Sequence, residues 1–127
     1  MKLRVFLIIN ALLAIVHGIG FILMPSELLA LYQVSRGAGE QLMGQFFGAT
    51  LLSLGVLAWL CKDLTDSKAL AAIVLANLIG VAAGAAVSTR GVLSGVMGSA
   101  GWMSVAIYVF LTFGFLYFQF RRDSYGK

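Results

Sequence analysis

Long apolar runs alternate with short polar breaks along this chain, and the run lengths set the first expectation. Apolar residues continue with almost no charge from about Leu3 to Met24, Ala38 to Cys61, Ala69 to Thr89 and Ala100 to Phe120. Each run is near the ~20 residues that a helix needs to cross about 30 Å of hydrocarbon at 1.5 Å per residue. Backbone placed in hydrocarbon must satisfy its own hydrogen bonds, which runs of this length do as helices. The pattern predicts an all-α fold, a four-helix transmembrane bundle formed as one domain over residues 1–127.

The breaks carry their own signals. Pro25 and Ser26 end the first run, and Ser26 to Tyr32 predicts a short helix lying at the outer interface. Ser26 would cap it, Glu27 would favour its N-terminus, and its leucines would dip into lipid. Arg36 and Glu40 have the i,i+4 spacing of a solvated surface pair. The stretch Arg90 to Ser99 is glycine-rich and is expected to form a flexible outer loop.

Composition removes the main competing class. The chain is 61% hydrophobic and 11% charged, with a mean hydropathy of +0.97, against about 45–50% and about 25% for soluble domains. A net charge of +4 brings no nucleic-acid reading, because the basic residues form no run and sit at the ends of apolar segments. Cys61 is the sole cysteine, so an intrachain disulfide, a CxxC pair and a cysteine-rich metal site are excluded. Lys2 and Arg4 before an apolar run also describe a signal peptide. The run continues through His17 to Met24 with no A-x-A site after it, so an uncleaved first helix is expected.

Charge then predicts orientation. Lys2, Arg4, Lys62, Lys68, Arg121, Arg122 and Lys127 flank one side of the four spans, and only Arg36 and Arg90 flank the other. The positive-inside rule places both termini in the cytoplasm, in the inner membrane if the source is bacterial. Tyr32, Trp102 and Tyr117 fall where interfacial anchors are expected.

Small residues recur every four positions in the third run at Ala72, Ala76, Gly80, Gly84 and Ser88, and in the second at Gly44 and Gly48. That spacing puts them on one face, where another helix can approach the backbone. Internal packing of the bundle is expected there ahead of dimerisation.

Polar groups inside a bilayer are costly and often mark function. They are Asn10 and His17 in the first run, Gln41 and Gln45 in the second and Asn77 in the third. His17, Gln45, Glu40, Arg90 and Asn77 are the candidate ligand-binding set: a polar pocket opening to the outer face, holding the head group of a lipid or quinone-like amphiphile. Asn10 lies two turns from His17 on the same helix face. Hydrogen bonding of these groups between helices is the simpler structural alternative.

Several chemistries fail by ligand count. One histidine does not supply two axial haem ligands, and one histidine, one cysteine and scattered carboxylates do not make a four-coordinate zinc site. No cofactor is indicated, and no nucleophile–base pair is visible. Small multidrug transporters have four helices, but their working carboxylate lies within the first helix, where this chain has no acid between Arg4 and Glu27.

The order Met24-Pro25-Ser26-Glu27-Leu28-Leu29-Ala30-Leu31-Tyr32, then Gly44-Gln45-Phe46-Phe47-Gly48-Ala49-Thr50, then Gly101-Trp102 leading into Phe113-Gly114-Phe115-Leu116-Tyr117-Phe118 resembles small bacterial four-helix inner-membrane proteins of the broad DoxX-like group. The resemblance implies the four-helix inner-membrane fold and no catalytic residues. The reading is of a non-enzymatic membrane protein, an accessory subunit of a partner membrane protein or a binder of a lipophilic ligand. A small homo-oligomeric transporter or channel working around Glu40, His17 and Gln45 is the alternative.

Overall fold

The structure, a computed structural model, describes residues 2–121. The described residues form helices α1 (Leu3–Leu23), α2 (Pro25–Leu31), α3 (Ala38–Cys61) and α4 (Ser67–Leu93), a single 3₁₀ turn over Ser99–Gly101, and α5 (Trp102–Phe120), with no strand among them. Four of these segments are long and apolar enough to cross a membrane. Large apolar side chains, including Val16, Leu23, Leu60, Ile79, Val87 and Phe113, stand exposed on the outside. Water would not tolerate such a surface on a stable monomer, whereas lipid covers it. These are the features of an integral membrane protein.

Local chemistry fixes the helix ends. Pro25 disfavours helical backbone at Met24, which leaves the helix at φ −135°, and then opens α2 at a position where its missing N–H costs nothing. Ser26 therefore lies inside α2 and makes no capping hydrogen bond, contrary to the expectation that it would be the cap. Asp66 caps α4, its carboxylate accepting from the amides of Lys68 and Ala69 at 3.0 and 3.3 Å, so α4 begins two residues earlier than hydropathy alone predicts. It also runs to Leu93, and the expected outer loop is four residues shorter at that end. Gly37 is the N-cap of α3, so Arg36 lies outside the helix and makes no ion pair with Glu40. The Glu40 carboxylate instead folds back against Gly37, where the positive end of the helix dipole favours it.

The helices associate as two pairs. α1 lies along α3, and α4 along α5. Within the first pair the backbones touch: a methyl placed on Gly48 would lie 2.7 Å from the Gly18 carbonyl and 2.8 Å from Phe21 Cβ, and one on Gly18 would lie 2.8 Å from the Gly48 carbonyl. Gly55 fits under Ile15 in the same way. In the second pair Gly84 lies under the Tyr108 ring, and Gly101 under Val92 and Met97.

Two separate apolar clusters join the pairs. At the end where α1 begins, here called basal, Phe6 stacks among Phe110, Phe115 and Phe118 and presses on Gly114. Leu7, Ala58, Cys61, Leu70 and Val74 extend this core, and Ala11, Val81 and Leu111 carry it to the middle of the helices, so all four spans contribute. Arg4 pairs with Asp63 at 3.0 Å beneath it. At the opposite, apical end Phe21, Leu29 and Tyr32 pack with Val34 and Met97.

The apical cluster is held by a latch between two connections. α2 ends in a Schellman motif, with the Val34 amide donating to Leu29 O (2.9 Å) and the Gln33 amide to Ala30 O (3.0 Å). Gln33 takes the left-handed position at φ 56°, which glycine fills more cheaply. From there its side-chain oxygen accepts from the Ala100 amide at 3.3 Å, while the Gly98 amide donates to Tyr32 O at 3.2 Å.

Candidate functional site

Between the two clusters the helix pairs diverge and enclose a cleft of about 1310 Å³, larger than the ~300–1,000 Å³ of ordinary small-molecule pockets. Its lining on α4 runs from Ala72 to Ser88, a length of ~24 Å at 1.5 Å per residue. Residues of both clusters, among them Phe21, Leu29, Val81 and Leu111, contribute to its lining. It is partly open, and its lining comes from both the α1–α3 pair and the α4–α5 pair. The walls are mostly apolar, with Leu54, Leu57, Ile73, Val81 and Leu111 among them.

The small-residue face of α4 acquires a different role from the one expected. Ala76 and Gly80 line the cleft, and a methyl on Gly80 would meet no atom within 4 Å. Here the small side chains create room instead of a helix contact. Gly84, one turn on, does lie against α5, and Gly44 and Gly48 lie against Phe21 and Gly18 of α1.

His17, Glu40 and Asn77 line this one cleft, together with Asn10, Tyr32, Ser88, Ser104 and Tyr108. His17 is held from both sides. Its Nδ1 lies 2.8 Å from Leu13 O, and its Nε2 lies 3.2 Å from the Tyr32 hydroxyl. A carbonyl only accepts, so Nδ1 carries the hydrogen, and in the neutral ring Nε2 accepts from the Tyr32 O–H. Burial pushes the Tyr32 phenol above its ordinary value, and the nearby Tyr108 adds to this, so Tyr32 stays a donor throughout the physiological range.

Gln45 and Arg90 do not join the cleft. The Gln45 amide donates to Ile22 O at 3.1 Å. Ile22 sits at the α1–α2 break, where its carbonyl has lost the continuing helix that would have bonded it. Gln45 thus finishes the end of α1. Arg90 lies over a separate shallow depression between Ala85 and Ser94, on the last turn of α4, where the dipole favours a cation.

Two residues outside the expected set prove central. Tyr32, read as an interfacial anchor, is the partner of His17. Asn10 is 5% exposed and is a cleft-lining amide whose side chain forms no hydrogen bond among the described residues. Its spacing from His17 was the available signal, since seven residues place both on one helix face.

No family model matches this sequence, and no curated protein or solved structure matches it either.

Proposed function

We propose that the chain is a non-enzymatic membrane protein that holds a long-chain amphiphile in the cleft between its helix pairs. One observation carries this reading: a cleft ~24 Å long, lined mostly by apolar side chains from both helix pairs, in a chain whose helices can span a bilayer. A ligand that already resides in the bilayer can enter such a cleft without crossing water. A spanning partner helix fits less well. A spanning helix of ~20 residues is ~30 Å long, longer than the ~24 Å over which α4 lines the cleft. A transporter path through Glu40, His17 and Gln45 requires all three on one route, and the Gln45 amide is engaged at Ile22.

In this reading both termini are cytoplasmic, by the distribution of Lys and Arg, and α2 with the latch lies at the outer face of a bacterial inner membrane. A role as accessory subunit of a larger membrane complex is compatible with it, as is membership of the DoxX-like group on the motifs quoted above.

Native mass spectrometry of protein extracted gently from its membrane tests the proposal. The expected result is a defined lipophilic adduct on the wild-type chain that is absent from Gly80→Phe, which fills the open space at the cleft's centre. A bare chain in both, or an adduct unchanged by the substitution, refutes it. A fluorescent protein fused to the C-terminus tests the orientation, since accessibility from outside the cell would reverse it.

A further inference from the structure

The cleft reading leaves the chemistry of the ligand open, and the lining side chains narrow it. Resting on that reading, we infer that the cleft selects an uncharged amphiphile whose carbonyl or hydroxyl group is seated deep, against Asn10 and Asn77, and that it rejects anionic head groups.

Asn10 carries the argument. A polar side chain in hydrocarbon normally finds a partner, because leaving it without one costs about 1–3 kcal/mol. Several polar side chains here follow that rule by bonding back along their own helices, whereas the Ser104 and Tyr108 side chains form no hydrogen bond among the described residues and Gln119 Oε1 is buried without one. Ser88 donates to Gly84 O, Thr89 to Ala85 O, Thr112 to Tyr108 O and Asn77 to Ile73 O, at 2.7 to 2.9 Å. Asn10 is the most buried of the cleft-lining polar side chains without such a bond, at 5% exposed. Its amide offers both a donor and an acceptor to whatever fills that space.

Asn77 lines the same cleft from α4. Asn10 is three residues from the middle of α1 and Asn77 three from the middle of α4, each on the basal side, so both lie ~4–5 Å from their helix centres. The Asn77 N–H bonds Ile73 O at 2.9 Å, which leaves its side-chain oxygen free to accept. A hydroxyl can accept from Asn10 and donate to Asn77, and a carbonyl can accept from Asn10. This level is ~10 Å basal of His17, well below the apical groups.

Charge supplies the second half. No lysine or arginine lines the cleft, and Glu40 is its sole charged side chain. A phosphate or carboxylate seated at the level of Asn10 would have no cation to pair with, an arrangement a low-dielectric site does not tolerate.

Two sources share the favoured chemistry, a neutral acylglycerol and an isoprenoid-type quinone or alcohol. The probes are therefore 1-oleoylglycerol, a long-chain alkyl benzoquinone, and 1-oleoyl lysophosphatidylglycerol as the anionic counterpart with the same chain. Full-length wild type, Asn10→Leu, Asn77→Leu and Gly80→Phe are titrated with each in dodecylmaltoside, with binding read by native mass spectrometry. The expected result is at least tenfold tighter binding of one neutral probe than of the anionic one. That preference should fall about tenfold in Asn10→Leu, and by less in Asn77→Leu, whose N–H is already engaged. Whichever neutral probe binds tighter identifies the source. Equal binding of neutral and anionic probes overturns the inference, as does neutral binding unchanged in both asparagine variants, which would leave only water at Asn10. If Gly80→Phe abolishes binding in those cases, the cleft stands and its selectivity falls. If Gly80→Phe leaves binding intact, the cleft reading falls with it.

Discussion

Two glycines on different helices make opposite predictions, and the difference follows from the paired architecture. Gly48 and Gly80 both belong to small-residue motifs of the kind that bring membrane helices together. At Gly48 an added methyl meets the Gly18 carbonyl at 2.7 Å, Phe21 Cβ at 2.8 Å and Ile22 Cγ1 at 3.1 Å, two of the three on stiff groups. Ordinary carbon contacts lie at ~3.5–4.0 Å, so α1 and α3 must separate by roughly 0.7–1 Å, and a gap of that size forfeits a quarter to a half of each contact it opens. Overpacking of this type costs ~1–3 kcal/mol. At Gly80 the same methyl touches nothing within 4 Å. Alanine is favoured over glycine in a helix by up to ~1 kcal/mol, so Gly80→Ala should be neutral or stabilising. Unfolding free energies of Gly48→Ala and Gly80→Ala, measured by denaturant titration in the same mixed micelles, should therefore differ by about 2–3 kcal/mol. Equal destabilisation would mean that Gly80 faces a helix, and the two-pair arrangement with its cleft would be wrong.

Other expectations are independent of that one. Tyr32→Phe removes the hydroxyl that bonds His17 and should cost about 0.6 kcal/mol, the average for a side-chain bond between membrane helices; no change in the unfolding titration would count against the pair. Gly98→Ala drives a methyl into the Gln33 side chain and should release the latch, seen as faster amide exchange at residues 98–100, and protection equal to wild type would refute the latch. Asp63 is held below the ordinary carboxylate range by its hydrogen bond from Arg4, then by Lys62. Its contribution is therefore present above the unfolded value of ~3.9 and is lost as pH falls below it. Asp63→Asn should melt below wild type at pH 6 and converge with it in strong acid, and a gap persisting there would sink the account.

The spans were legible because hydrocarbon imposes a length and an apolar composition that few other constraints can mimic. The bounds of α3 and the break at Pro25 were readable for the same reason. Asp66 at the start of α4 is a common capping residue that hydropathy could not weigh, since the cap acts on two amides and not on the apolar run. The cleft was hidden for a deeper reason. Spacing shows that Ala76, Gly80 and Gly84 share a face, but not whether that face meets a helix or empty space. The answer depends on Phe6 filling the basal end against Gly114 and on the latch fixing the apical one, both contacts between residues far apart in the chain. The polar set was half readable. His17, Glu40 and Asn77 reach one cleft because their helix faces converge there, whereas Gln45 is drawn aside by a carbonyl freed at a proline break.

The two clusters that join the pairs also shape how the proposed site would respond to a ligand. The walls are separate hairpins, so a bulkier chain need not displace a packed neighbour; it can spread the hairpins about the aromatic cluster at one end and the latch at the other. Girth is then governed by bending of helices over a span, a soft deformation shared among many residues. Polarity at the level of Asn10 is governed by single hydrogen bonds, which are lost or kept whole. On the proposed reading such a site would be tolerant in width and strict in chemistry, suited to a family of chains that differ in branching or unsaturation but carry the same polar group.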